Sequence, residues 1–166
     1  MNSVLQCLLR AKPFIDLLDE EPCLPNSLLD ILSDLVDVML QSESTSPFKF
    51  YEKIKVIHPQ FAGGNQEDCQ EFLVNLLFSL DEEKMNNSSL RDIFGVTVSS
   101  TLSCKVCASR STTFDNTWGV SLPLTTNGEC LSSLLDSLQE FEREESLEGD
   151  NLWMCNSCNK KSARKR

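Results

Sequence analysis

Two Cys-x-x-Cys pairs, Cys104-Lys105-Val106-Cys107 and Cys155-Asn156-Ser157-Cys158, carry the clearest chemistry in this sequence. A turn two residues wide lets both sulfurs of a pair reach one ion, and two such turns complete a tetrahedral four-thiolate site suited to Zn2+. A closed four-thiolate site leaves no position for water, so its expected role is structural rather than catalytic. The pairs are separated by 47 residues, which is longer than in a compact zinc ribbon. Local pattern alone therefore leaves open two unrelated turns with free thiols. A thioredoxin-like redox role is the weaker reading, because neither pair opens a helix after a strand.

The second constellation is Asn65-Gln66-Glu67-Asp68-Cys69-Gln70-Glu71-Phe72-Leu73. Its chemistry is either a cysteine nucleophile at a helix start or a set of carboxylates that bind a basic ligand. Asn65 is the expected N-cap, with Asp68 three residues on completing a capping-box-like pair. Cys69, Phe72, Leu73, Leu76, Leu77 and Leu80 recur at helical spacing and fill one narrow arc, with Asp68, Glu71 and Asn75 roughly opposite. Cys69 is thus expected in the core, where a thiol behaves as a small hydrophobe. His58, the single histidine, lies in a separate segment, so Cys69 is not read as a nucleophile. Asp68 and Glu71 remain open between a solvated, helix-capping face and a clamp for arginines, with Gln66 adding an amide contact.

The elements that must position these residues follow from periodicity and breakers. Residues 2–10 read as a helix ending before Pro13, and Asn26 is expected to open a second through about Leu40. Ser46-Pro47 is expected to start a third, serine as cap and proline first in the helix, after the polar linker "QSESTS". Gly63-Gly64 breaks the chain before the carboxylate segment. From Phe94 the texture changes: "FGVTVSSTLSC" and "STTFDNTWGVSLPL" read as strands bracketing the first cysteine pair. "CLSSLLDSLQEF" reads as a short helix, followed by an acidic loop through "EREESLEGD". The fold class is therefore α+β, helical before the strands begin.

Composition narrows the class of function. A chain of 166 residues with 40 % hydrophobic and 24 % charged residues has the make-up of a globular domain or a piece of one. No apolar run approaches a membrane span, and the start lacks a basic segment before its apolar residues. Net charge is −10, yet five of the 15 basic groups lie in the final "KKSARKR", which holds no acidic group. The preceding 159 residues then carry 10 basic against 25 acidic groups, a balance of −15. That body is expected to repel nucleic acid and attract a basic partner, and no membrane contact is expected. The basic end reads either as a nuclear signal or nucleic-acid arm, or as the place where a structural segment has been cut. Eight cysteines, half of them in metal-like pairs, fit a reduced, intracellular setting, cytoplasmic or nuclear, better than a disulfide framework.

These motifs also occur in a recognisable order. "MNSVLQCLL", "NQEDCQEFLVNLL", "FGVTVSSTLSCKVC", "FDNTWGVSLPL" and "LEGDNLWMCNSCNKKSARKR" resemble successive blocks of the ubiquitin-specific proteases, cysteine deubiquitinases of papain-like fold. The resemblance implies an incomplete catalytic domain: a helical thumb-like part over 1–93 and β-rich fingers with a four-cysteine zinc ribbon over 94–166. It implies that Gln66, Asp68 and Glu71 contact the C-terminal tail of ubiquitin, and that Cys104, Cys107, Cys155 and Cys158 hold Zn2+. Ubiquitin or ubiquitinated proteins are the implied partners. The family nucleophile precedes an aromatic-Met-Asn-Ser sequence, so it is expected two residues before Met1, outside this chain, with the oxyanion-hole asparagine upstream of it. The base and its partner are expected beyond Arg166. Cys7 matches a position expected in the core beside Val4, Leu5 and Leu8, and neither it nor His58 is assigned a catalytic role. The alternative is a non-catalytic zinc-ribbon module that binds ubiquitin.

Overall fold

The computed structural model describes residues 1–20, 24–41, 45–83, 89–161 and 163–165. The chain divides into two compact units, Met1–Gly95 and Val96–Arg166.

The first unit is helical. Its elements are α1 (Asn2–Leu8), α2 (Lys12–Glu20), α3 (Leu28–Gln41), α4 (Phe48–Glu52), α5 (Ile54–Ile57), a 3-10 turn (Pro59–Gly63), α6 (Cys69–Glu83) and α7 (Ser89–Phe94). Helix α2 is absent from the sequence expectation, which took Pro13 as a stop. Proline instead sits in the first turn of α2, where its missing N–H has no intrahelical partner to lose. Helix α3 starts at Leu28, and Ser27 rather than Asn26 is its cap: Ser27 Oγ accepts from Asp30 N at 3.1 Å. Asn26 takes a left-handed φ of 63° and donates its backbone N–H to Asp30 Oδ2. Similarly, α4 begins one residue later than expected, with Pro47 outside it and no side-chain cap. Residues 42–44 of the expected linker lie outside the described residues.

The core of this unit is built from stripes at helical spacing. Leu28, Leu29, Ile31, Leu32, Leu35 and Val36 of α3 are buried, as are Phe72, Leu76, Leu77 and Leu80 of α6. Phe72 packs edge-to-face on Phe50 and Phe61, with ring centroids 6.4 and 5.4 Å apart. Glu83, in the last turn of α6, accepts from the backbone N–H groups of Leu28 (2.9 Å) and Leu29 (3.3 Å). A carboxylate from one helix therefore satisfies donors that the first turn of another leaves without intrahelical acceptors.

The second unit is β-rich. Strands β1 (Val96–Ser103) and β2 (Arg110–Thr117) form an antiparallel hairpin in register from Val96↔Thr117 to Ser103↔Arg110. Strands β3 (Thr125–Thr126) and β4 (Glu129–Cys130) make a small separate ribbon. Helix α8 (Leu134–Phe141) is capped by Ser133, whose Oγ accepts from Asp136 N while donating to Asp136 Oδ2. Strands β5 (Glu145–Leu147) and β6 (Ala163–Lys165) complete a four-stranded sheet of order β2-β1-β6-β5.

Two expectations change here, and the basic end, open between an arm and a structural segment, joins the sheet. Only Arg110–Thr117 of the second strand-like stretch is strand, and the stretch leaves the sheet at Trp118, which is buried. The acidic segment expected as loop contributes β5. The basic end includes an inner strand, β6, paired with β1 (Leu102↔Lys165, Ser103↔Arg164) and with β5 (Glu145↔Lys165). Opposite charges meet across the second ladder, with Lys165 Nζ 4.0 Å from Glu145 Oε1, which favours the pairing. Ser162 and Arg166 lie outside the described residues.

Candidate functional site

The sheet brings the two cysteine pairs together. Residues 104–109 form the turn of the β1–β2 hairpin, and residues 155–160 lie between β5 and β6. Pairing of β1 with β6 joins these two arms side by side. The turns share one backbone pattern. Cys104 N donates to Ser109 O (2.9 Å) and Ala108 N to Cys104 O (3.0 Å), while Cys155 N donates to Lys160 O (3.0 Å) and Asn159 N to Cys155 O (2.8 Å). Each closes on a residue with left-handed φ, Ala108 at 58° and Asn159 at 54°. Neither opens a helix, so the redox reading gains nothing from the local geometry.

The four Sγ atoms lie within 4.8 Å of one another. Cys104 Sγ and Cys158 Sγ are 3.7 Å apart, and Cys107 Sγ and Cys155 Sγ 3.6 Å. An ion about 2.3 Å from each of four tetrahedral sulfurs requires edges of about 3.8 Å, which these two sulfur pairs match. These residues could hold a metal. Cys104 and Cys155 are buried, Cys158 is half-buried and Cys107 is exposed.

Local dipoles favour thiolates at two of the four positions. Backbone N–H groups of Cys107 and Val106 hold the Cys104 thiol below its ordinary value. Burial works against ionisation of Cys155, but the Cys158 backbone N–H, the Ser109 hydroxyl and the Ser157 backbone N–H together bring it down to about 6. Cys158 goes the other way. The Lys160 backbone N–H opposes the rise, yet burial and the thiols of Cys107, Cys104 and Cys155 push it up to about 12. The cluster is thus prepared for some negative charge and resists the rest, which is the condition a cation relieves.

The carboxylate segment is organised differently from expectation. Helix α6 starts at Cys69, and its cap is Asp68, not Asn65: Asp68 Oδ1 accepts from Gln70 N at 2.6 Å and Glu71 N at 3.2 Å. Gly64 ends the preceding 3-10 turn at a left-handed φ of 71°, a conformation that glycine adopts freely. Glu67 is tied back to that turn, its Oε2 accepting from Gln60 Nε2 at 2.9 Å. Gln66, Asp68 and Glu71 are all exposed. Among the described residues, Asp68 Oδ2 and the Glu71 carboxylate have no side-chain partner. Two negative groups thus point outward from one fixed helix start.

Both core assignments for cysteines are corrected. Cys69 is exposed, because it is the first residue of α6 and the apolar arc reaches the core only from Phe72 onward. Cys7 is exposed because it lies two residues from buried Leu5, roughly 200° around α1, while Leu5, Leu8 and Leu9 take the inward side. Neither is paired with the histidine. His58 Nδ1 accepts from Gln60 N, and the ring packs edge-on to Phe61. The contacts that sequence reading missed are made by Ser109 and Ser157 beside the cysteines. Small hydroxyl residues next to a cysteine pair carry no spacing rule that would have marked them.

Residues 1–117 match the protein-family model described as "Ubiquitin carboxyl-terminal hydrolase". Among curated proteins, the chain is 30 % identical over 210 residues to ubiquitin carboxyl-terminal hydrolase 2 of Bos taurus, covering 100 % of this chain and 34 % of that protein. It is also 30 % identical over 178 residues to ubiquitin C-terminal hydrolase 15 of Oryza sativa subsp. japonica, covering 95 % of this chain and 18 % of that one. The chain therefore spans about a third or less of the length of these relatives. Among solved structures it resembles the SAGA DUB module of Ubp8, Sgf11, Sus1 and Sgf73 bound to monoubiquitin. The TM-score is 0.79 at 22 % identity, covering 100 % of this chain and 41 % of the matched one. That likeness shows that the chain shares the mixed helix-and-sheet fold of the matched structure.

Proposed function

The chain belongs to the ubiquitin carboxyl-terminal hydrolase family, and from that premise we propose that it is the substrate-gripping portion of a thiol-dependent deubiquitinase. In the whole enzyme, a thiolate attacks the carbonyl carbon of ubiquitin's terminal glycine and expels the substrate amine as a thioester forms. Water then hydrolyses the thioester to free the ubiquitin carboxylate and restore the thiolate. The helical unit is the thumb-like part and the β-rich unit the fingers. Asp68 and Glu71, with Gln66 in support, receive the basic C-terminal tail of ubiquitin through charge-assisted hydrogen bonds. The observation that carries this reading is the pair of exposed carboxylates at the start of α6, without side-chain partners among the described residues.

Cys104, Cys107, Cys155 and Cys158 are the proposed ligands of one Zn2+, which when bound cross-links the two arms of the fingers. The residues themselves bring four sulfurs within 4.8 Å of one another, and the proposed setting is the reduced interior of the cell. A nucleophilic thiol needs a base within hydrogen-bond reach. No such pair occurs among the described residues, and His58 is engaged with Gln60 and Phe61. Nucleophile and base are accordingly proposed to lie outside these 166 residues.

The same observation keeps a second reading in play, a zinc-ribbon module that binds ubiquitin without cutting it. Titration of this chain with ubiquitin, and with ubiquitin lacking its C-terminal tail, tests the grip. Binding that weakens when the tail is removed supports it, and equal binding of both sinks it. Turnover of a fluorogenic ubiquitin substrate by this chain alone would overturn the proposed absence of a nucleophile.

A further inference from the structure

The two cysteine turns are near copies in backbone, yet they differ at the fifth residue after the first cysteine. The first turn has Ser109 there, and the second has Lys160. Ser109 Oγ lies 3.7 Å from Cys155 Sγ, across in the other turn, a distance compatible with the larger radius of sulfur. Ser157, between Cys155 and Cys158, donates its hydroxyl to Ser109 Oγ at 3.1 Å. With its oxygen already accepting, Ser109 has its own proton free for the sulfur. A thiolate has no proton to give, so the direction is fixed: Ser157 to Ser109 to Cys155.

Burial explains why the sulfur at the end of this relay gains from it. Cys155 is fully buried, at 0 % exposure, so water cannot stabilise its charge. Its counterpart Cys104 has the Val106 backbone N–H at 3.4 Å and no hydroxyl bond among the described residues. Four thiolates around a dication leave an excess of two negative charges, and a hydroxyl dipole on the most enclosed sulfur offsets part of that excess. The relay also links one turn to the other without passing through the metal.

We propose that Ser109 is a positioning residue of the metal centre, orienting Cys155 as a ligand and tying the two turns together, and that Ser157 acts through it. This inference rests on the reading of the four cysteines as a metal centre. Loss of the link lets a turn swing away once one sulfur leaves, so it should appear as faster metal release. Outer partners of metal ligands typically govern affinity by about 10- to 100-fold.

The test uses the full chain loaded with zinc and mixed with an excess of a chelating dye, with release followed by absorbance. Ser109→Ala should release zinc about 10-fold faster, toward the lower end for such a partner. Ser109→Thr, which keeps the hydroxyl, should restore the original rate. Ser157→Ala should have a smaller effect, and the double variant should be no faster than Ser109→Ala alone. Unchanged release in Ser109→Ala, failure of threonine to rescue, or additive effects would each overturn the inference. Ser157 is exposed, so Ser157→Ala keeps the test valid if Ser109→Ala fails to fold, and unchanged release there overturns the relay. A chain that takes up no zinc defeats the metal-centre reading itself, whereas one zinc per chain with unaltered release defeats this inference alone.

Discussion

Asp68 has two tasks at once, and they can be separated. One oxygen caps α6 and the other faces solvent. Replacing a cap by alanine costs about 1 kcal/mol, whereas serine at the same place keeps an acceptor. Asp68→Ala should therefore lower both thermal stability and ubiquitin affinity, while Asp68→Ser should lower affinity with stability largely kept. Glu71→Ala should weaken binding less, since its carboxylate is not held by a cap. Because both residues are exposed, the binding losses belong below the roughly 2–5 kcal/mol of a buried interfacial charge pair. Full affinity in Asp68→Ser would leave the carboxylates as a helix-capping, solvated face. Ala108 raises a different question at this scale. A side chain at left-handed φ costs on the order of 1–2 kcal/mol, and Asn159 at the equivalent place is a residue that tolerates it. Ala108→Gly should raise the unfolding temperature, and a fall would mean that the alanine methyl is packed.

At the scale of elements, the contact between α6 and α3 through Glu83 is the clearest case of one helix completing another. Glu83→Ala leaves the Leu28 and Leu29 N–H groups without that carboxylate, at a cost of about 1 kcal/mol by comparison with other capping losses. Faster amide exchange confined to the start of α3 is the expected signature, and exchange unchanged there would contradict it. Helix α8 offers a pH test. The hydroxyls of Ser132 and Ser133 hold the Asp136 carboxyl below its ordinary range. A depressed carboxyl contributes stability above its unfolded value and loses it as pH falls through the folded one. Unfolding of α8 should therefore become easier only on the acid side of the ordinary carboxylate range, and Ser132→Ala should shift that onset upward.

At the scale of the molecule, the two units differ in what holds them. The helical unit has a large apolar core that includes Phe14, Leu28, Leu32, Phe50, Leu76, Leu77 and Leu80. In the β-rich unit, the buried side chains among the described residues are Cys104, Trp118, Ser137 and Cys155. So few buried apolar groups make such a unit dependent on a staple, which four thiolates around one ion would supply. Elemental analysis should find about one zinc per chain, the count a single four-thiolate site holds. Chelation, or Cys107→Ser, should open Val96–Arg166 to limited proteolysis while Met1–Gly95 stays resistant. Equal loss of both units, or of neither, would show that no metal ion holds the β-rich unit together.

Much of this was legible from residues alone. Periodicity marked the buried stripes of α3 and α6, the Val- and Thr-rich stretch marked β1, and cysteine spacing marked the four candidate ligands. Each of these signals is local, since a helix face or a two-residue turn is set by neighbours along the chain. Where the sequence misled, a local signal met a longer-range constraint. The arc of α6 pointed Cys69 inward, but the buried stripe begins only at Phe72. Pro13 read as a stop although a helix start accepts it equally well. The basic end was open between an arm and a piece of a structural segment, and its pairing with an acidic strand and β1 takes it into the sheet. Even the site depended on pairing: 47 residues separate the two cysteine turns, and only the β1–β6 ladder brings their sulfurs within reach of one ion. The sequence determined which residues could bind, and tertiary packing decided which of them meet.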